Sequence, residues 1–300
     1  MINAQELLNN TVILSYHIKA WGNRRKADVA KIQTDTDKSR LNVTKKLIDS
    51  DEFKSIQKFN TEVREWLNSR SVPSFFRNAL MLVKTDMVSE VDQYLKDAQE
   101  RLKVLVDNLV IAFPIHKESA KLALNGMFED GDYPSTDVLR TLFGIEWNWI
   151  ALNVAENLPD NIRAKENAKL QNLWEESIGE IIKGLRMGFK ELVDHAVDRL
   201  TVTPGEKPKI FKDSLVPNFR EFLDTFSARN VVNDDELETL VGQAKKLIEG
   251  ISSDDLRNDV SLRSYTAEKF AELKKSVDEA VITSGRRFDF DDDDAVKKVA

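Results

Sequence analysis

"VSEVDQYLKDAQERLKVLVDNLVIA", residues 88–112, is the stretch whose reading decides the fold. Val88, Val91, Leu95, Ala98, Leu102, Leu105, Leu109 and Ala112 follow alternating steps of three and four residues. That spacing is the narrow apolar seam of a coiled-coil-like helix, sustained for about three heptads. A second seam runs through Ile178, Ile182, Leu185, Phe189, Leu192 and Ala196. A third, shorter one holds Ile56, Phe59, Val63 and Trp66, and is assigned to a helix beginning before Leu47. A narrow apolar stripe on an isolated helix has nothing to bury against. The three seams are therefore expected to pack on one another, giving a mainly α chain built as an elongated antiparallel helical bundle.

Composition points the same way. Eleven glycines and seven prolines in 300 residues are too few for the many tight turns of a sandwich or barrel. A charged fraction of 32% suits long helices with solvated faces. No apolar run approaches the roughly 20 residues of a membrane span, and "MINAQELLNN" has no basic segment before its apolar residues, as a signal peptide would. Without cysteine there are no disulfides or thiolate chemistry, and the cytoplasm is the expected location.

Two stretches carry a period of two instead. Val12, Leu14, Tyr16 and Ile18 alternate with Thr11, Ile13, Ser15 and His17, while Phe143, Ile145, Trp147 and Trp149 alternate with Gly144, Glu146, Asn148 and Ile150. A small two-stranded β element joining about 11–19 with 144–152 is the expected result. On that face Trp147 and Trp149 are read as core; base stacking is the sharper alternative.

Turn-forming stretches at 68–74, 128–135, 156–161 and 201–209 divide the chain. They predict a bundle over 1–200 with an insert at 114–165, a helical subdomain over 210–284 and an acidic tail over 285–300. In the subdomain, Ser214 and Pro217 open one helix, Asn233 with Glu236 opens the next, and Gly250 closes it. The last helix carries Tyr265, Phe270, Leu273, Val277 and Val281 and is expected to stop near Gly285.

Catalytic motifs are missing. Neither G-x-x-x-x-G-K-[ST], G-x-G-x-x-G nor G-x-S-x-G occurs. His17, His116 and His195 sit in separate segments without metal-ligand spacing, and Glu-x-x-His, needed twice for a di-metal bundle, is absent. No cofactor or metal is expected. Asp289, Asp291 and Asp293 begin like a calcium loop, but Asp294 replaces the glycine the turn requires and Ala300 the final glutamate. The tail reads as a solvated acidic segment, with Phe288, Asp289, Phe290, Asp291, Asp292, Asp293 and Asp294 as candidates for docking on a basic surface. The one basic concentration singled out is "AWGNRRKADVAKI" (20–32), read as a strand ending near Trp21, a turn at Gly22 and Asn23, and a helix beginning with the cations. Cations oppose the dipole at a helix start, so Lys19, Arg24, Arg25, Lys26 and Lys31 stand as partner- or anion-binding candidates.

At "KIFKDSLVPNFREFLDTFSARNVVNDDELETLVGQAKKLIEGISSDDLRND" (209–259) and "IKAWGNRRKA" (18–27) the chain resembles a phage and bacterial protein family of unknown function. Genes of that family often lie beside a MoxR-type AAA ATPase and a von Willebrand-type or cobalt-chelatase-like protein. The features that carry the likeness are Phe211, "DSLVPNFREFLD", the turn from Asn230 into "DDELETL", and "DDLR". The family has no assigned active site, so no catalytic residue is carried over. The resemblance implies a phage or bacterial protein of the cytoplasm, the host's if phage-encoded, working with an ATPase.

Three readings follow. The first is a non-enzymatic helical interaction or adaptor protein, with self-association if any seam is left unsatisfied within the chain. The alternative is a nucleic-acid-associated protein using residues 19–31 as a local patch, against the handicap of a net charge of −7. A carboxylate-metal enzyme ranks third.

Overall fold

The computed structural model describes residues 4–74, 80–151, 154, 156–201 and 215–289. The chain opens with α1 (Ala4–Asn10), β1 (Thr11–Lys19), β2 (Arg24–Lys26), β3 (Thr44–Lys46) and α2 (Asp51–Asn68). Then come β4 (Val72–Pro73), β5 (Leu80–Lys84), α3 (Val88–Leu124), α4 (Thr136–Thr141) and β6 (Gly144–Ile150). Helices complete it: α5 (Asp160–Leu200), α6 (Leu215–Arg229), α7 (Asp235–Ile248), α8 (Ser253–Asn258) and α9 (Val260–Asp289). The protein is mainly helical, with a small sheet of strand order β4-β5-β1-β6 and a separate two-stranded ribbon, β2-β3. The two stretches of period two are adjacent strands, as their alternation predicts. The sheet has two strands more than expected, because Val72–Pro73 and Leu80–Lys84 are too short to show a period.

Two compact units divide the chain. The first takes Met1–Ile13, Ser69–Met87 and Ile150–Ala300, the second Leu14–Asn68 and Val88–Trp149. In the second, α2 packs on α3, burying Phe53, Ile56, Phe59, Val63 and Leu67. Trp21 stands edge-on to Phe53 and Phe113, with ring centroids 5.9 and 5.6 Å away. The helix α2 starts at Asp51, after Leu47 and not before it. The Ser50 hydroxyl caps it by accepting from the Phe53 N–H at 3.1 Å, and Asp51 and Glu52 sit favourably at its positive end.

In the first unit α5 lies along α9, and Phe189, Val193, Phe226, Leu240, Phe270 and Val277 belong to one buried cluster. A second cluster gathers Leu7, Ile13, Leu82, Trp174, Ile178 and Val232. Within the units, α2 and α3 pack on each other, while α5 packs on α9. Leu200 and Val216, on either side of the expected boundary at 201–209, share a core, so that stretch separates two helices of one unit.

The seams also drift. On α3 the buried positions are Val91, Leu95, Ala98, Leu102, Val106, Leu109, Val110, Phe113 and Ala120, with Val106 and Phe113 replacing the expected Leu105 and Ala112. On α5 the buried positions from Ile178 onward include Ile182, Arg186, Phe189, Val193, Ala196 and Leu200, with Arg186 in place of Leu185 and Val193 in place of Leu192. Positions eleven apart, such as 91, 102 and 113 or 178, 189 and 200, recur on the buried face. That is the period of a nearly straight helix, whereas a strict heptad would impose a left-handed supercoil.

Local signals fix the ends of the C-terminal helices. Asn233 takes a left-handed φ of 50°, and Asp234 caps α7 by accepting from the Leu237 N–H, one residue later than the capping start expected at Asn233. Gly250, at φ 72°, follows α7 where a left-handed residue is needed to end a helix. Ser252 and Asp255 form a reciprocal capping box on α8. The final helix runs through Gly285 to Asp289, past its expected stop. Among the described residues, no helix is long and apolar enough to cross a membrane.

Candidate functional site

The basic corner is a strand, not the first turn of a helix. Trp21 is buried between aromatic rings, and Asn23 two residues on is buried as well. Its side chain donates to the Ile48 carbonyl at 2.7 Å and accepts from the Ile48 N–H at 2.8 Å, imitating a pairing strand. Arg24–Lys26 then pairs antiparallel with Thr44–Lys46 in the register Arg24↔Lys46, Arg25↔Lys45, Lys26↔Thr44. Bonds from Leu47 N–H to the Asn23 carbonyl and from Ala27 N–H to the Val43 carbonyl extend the ladder at both ends. The dipole conflict expected of a cationic helix start therefore does not arise.

Side chains alternate between the two faces of a ribbon. One face holds Arg24, Lys26 and Lys46, with Thr44. Arg24 and Lys46 stand directly opposite each other, a like-charge pairing that costs roughly 0.2–1 kcal/mol. On the other face Lys45 turns inward. Its side chain is 4% exposed, its ammonium donates to the Met127 carbonyl at 2.7 Å, and Asp132 and Glu129 lie 2.7 and 3.5 Å away. Burial by itself pushes the Lys45 ammonium down, but Asp132, with help from Glu129, outweighs it and leaves the pKa above the ordinary lysine value. The Tyr133 hydroxyl donates to the Leu47 carbonyl at 2.9 Å. The acidic turn at 129–133 thus pins the inner face of the ribbon and leaves the outer one to solvent.

Of the predicted cations, Arg24, Arg25 and Lys26 are brought together on β2, all exposed. The Arg25 guanidinium folds back on the Gly22 and Arg24 carbonyls at 2.9 and 3.0 Å. Lys31 lies in a single 3₁₀ turn on the segment joining the two ribbon strands and donates to the Gly126 carbonyl at 2.8 Å. Lys19 is elsewhere, on β1, and its charge is matched by Glu146. The structure adds Lys38, Lys45 and Lys46, which sequence reasoning missed because a three-residue strand such as Thr44–Lys46 has no readable period. Among the described residues, Arg24, Arg25, Lys26, Lys31 and Lys38 meet no carboxylate. Lys38 instead donates to the Ala30 carbonyl at 3.1 Å. Between residues 24 and 46 there are eight lysines and arginines against three aspartates, inside a chain of net charge −7.

The other candidates fall apart as sites. Phe288 and Asp289 lie in the last turn of α9, while Phe290 and Asp291–Asp294 are outside the described residues. Trp147 and Trp149 are half-buried, not core, and both indole N–H groups donate to Asp92 Oδ1, at 2.8 and 3.2 Å. With Lys96 2.7 Å from the second oxygen, these bonds bring the Asp92 carboxyl down to about 2. His116 pairs with Glu52 at 2.9 Å, and neither His17 nor His195 is near it in sequence or element. Among the described residues, no group of three or more His, Cys, Asp or Glu side chains is placed to hold a metal ion. Comparison of the chain with protein-family models, curated proteins and solved structures gives no match.

Proposed function

We propose that the protein is a non-enzymatic helical adaptor whose basic ribbon grips a nucleic-acid backbone. One observation carries this reading: among the described residues five cations lack a carboxylate partner, Arg24, Arg25 and Lys26 on a pinned, exposed ribbon and Lys31 and Lys38 on the segment that joins its strands, in an otherwise acidic chain. A two-stranded ribbon is narrow enough for the major groove of a duplex, and phosphate contacts require no base-reading residues. The net charge is no obstacle to a local patch, because salt screens the acidic remainder within about 8–10 Å. An ATPase partner and a phage or bacterial setting rest on the resemblance at 18–27 and 209–259. In that setting the adaptor would tie nucleic acid to an ATPase-driven machine in the cytoplasm.

Fluorescence anisotropy with a short labelled duplex tests the ribbon. Engaging three to five phosphates gives a slope of log affinity against log salt of about −2.7 to −4.5. Replacing Arg24, Arg25 and Lys26 together by glutamate should abolish binding while the far-ultraviolet circular dichroism is unchanged. Absence of any binding to duplex or single strand at low salt would overturn the reading and turn attention to an acidic protein surface. Equal binding by the triple variant would also overturn it.

A further inference from the structure

Helix α3 has two apolar faces, and among the described residues only one of them is buried. Opposite the buried series Val91 to Phe113, four aliphatic side chains stand in solvent: Val104, Ile111, Ile115 and Leu122, at 61, 76, 74 and 84% exposure. Single exposed aliphatics are ordinary on protein surfaces, but a contiguous row marks an interaction face. At the 100° per residue of an α-helix these four fall within an arc of about 40°, centred roughly 160° from the buried face. Exposed Asn108 and Glu118 fill the positions between them.

The row's steps of seven, four and seven residues read the same from either end, with the midpoint at position 113. A two-fold axis there would set Val104 against Leu122 of a second copy, Ile111 against Ile115, and Asn108 against Glu118, whose carboxylate can accept from the Asn108 amide. Every position of the row then meets a matching one, as an isologous interface requires. A parallel pairing would instead set Glu118 against Glu118 inside the apolar row. Charge thus selects the antiparallel arrangement.

We infer that two copies of this chain pair antiparallel through the outer face of α3, with the two-fold axis at residue 113. The row is about 27 Å long, which places one helix pair at the small end of stable interfaces.

Because the chain has no cysteine, single cysteine variants give an unambiguous test. Under mild oxidation at about ten times the dissociation constant, Ile111→Cys mixed with Ile115→Cys should cross-link several-fold faster than either variant alone. Val104→Cys mixed with Leu122→Cys should do the same. Sedimentation equilibrium should show the mass doubling with concentration. Ile111→Glu should weaken the dimer at least tenfold without changing the circular dichroism, since this side chain is exposed in the single chain. A protein that stays monomeric to several hundred micromolar overturns the inference. So does cross-linking of Ile111→Cys alone as fast as the mixture, or an assembly indifferent to Ile111→Glu.

Discussion

Replacing Arg186 tests how the first unit is held together. The side chain leaves α5 at a buried position and is 4% exposed. Its Nε and one Nη reach the two oxygens of Asp234 at 2.7 and 2.9 Å, the same Nη reaches Glu236 at 2.8 Å, and the other reaches the Ala280 carbonyl at 2.5 Å. One guanidinium therefore ties α5 to the start of α7 and to α9. Asp234 is also buried, and its hydrogen bonds with these partners hold the arginine's pKa above its usual value. Arg186→Met keeps most of the apolar stem and removes the donors. Asp234 would retain only the Leu237 N–H at 3.1 Å as a partner for its carboxylate, and the Ala280 carbonyl would lose the guanidinium. Breaking a buried pair from one side costs about 3–5 kcal/mol. The retained cap bond favours the lower end, and the half-exposed Glu236 adds under about 1 kcal/mol. The expected loss is about 3 kcal/mol. Asp234→Asn preserves the capping acceptor, so a double-mutant cycle of the two substitutions isolates the pair, with a coupling of about 2 kcal/mol expected. Hydrogen exchange read peptide by peptide is the suitable assay, because a chain of two units need not unfold in one step. Amides of α7 and α9 should lose protection while those of α2 and α3 keep theirs. A loss below about 1 kcal/mol, or an equal loss in both units, would refute the assignment of Arg186 as a lock of the first unit.

Three further outcomes follow from side chains already described. Asp92 has a folded pKa of about 2, below its unfolded value near 3.9, so its contribution is full above about pH 4 and is lost as pH falls towards 2. Acid titration followed by tryptophan fluorescence should show Asp92→Asn missing about 2 kcal/mol of that dependence. Lys45→Met should destabilise the second unit by about 2–3 kcal/mol by leaving Asp132 without its counter-charge, measured as a lower urea midpoint; an unchanged midpoint would remove Lys45 as the ribbon's anchor. Gly250→Ala forces a side chain into a left-handed turn at φ 72° and should cost about 1 kcal/mol, read from the melting of α7.

The long helices were legible because burial repeats over dozens of residues. Even there the sequence misplaced the seam: Leu105 and Val106 are both aliphatic, and only the neighbouring helix decides which one faces inward. Thr11–Lys19 and Gly144–Ile150 were legible because nine and seven residues suffice to show alternation. The ribbon was not, since Arg24–Lys26 owes its extended form to Asn23 and Ile48, 25 residues apart and without hydrophobic pattern. Nor was the pairing of seams. Apolar stripes on α2, α3 and α5 are chemically alike, and nothing in any one of them names its partner. Arg186 was hidden for a related reason. An arginine within an apolar period looks like a surface residue until Asp234 and Glu236, 48 and 50 residues later, are brought to it.

The interleaving of the two units along the chain also sets a timetable. During synthesis every segment of the second unit is available once Trp149 has emerged, so its core can close while half the chain is still to be made. The first unit contributes α1, β4 and β5 early, but Leu7 and Leu82 must wait for Trp174 and Ile178, and Arg186 for Asp234. Those early strands are the pieces a chaperone would have to shelter. Cutting the gene at any single point cannot yield the first unit by itself.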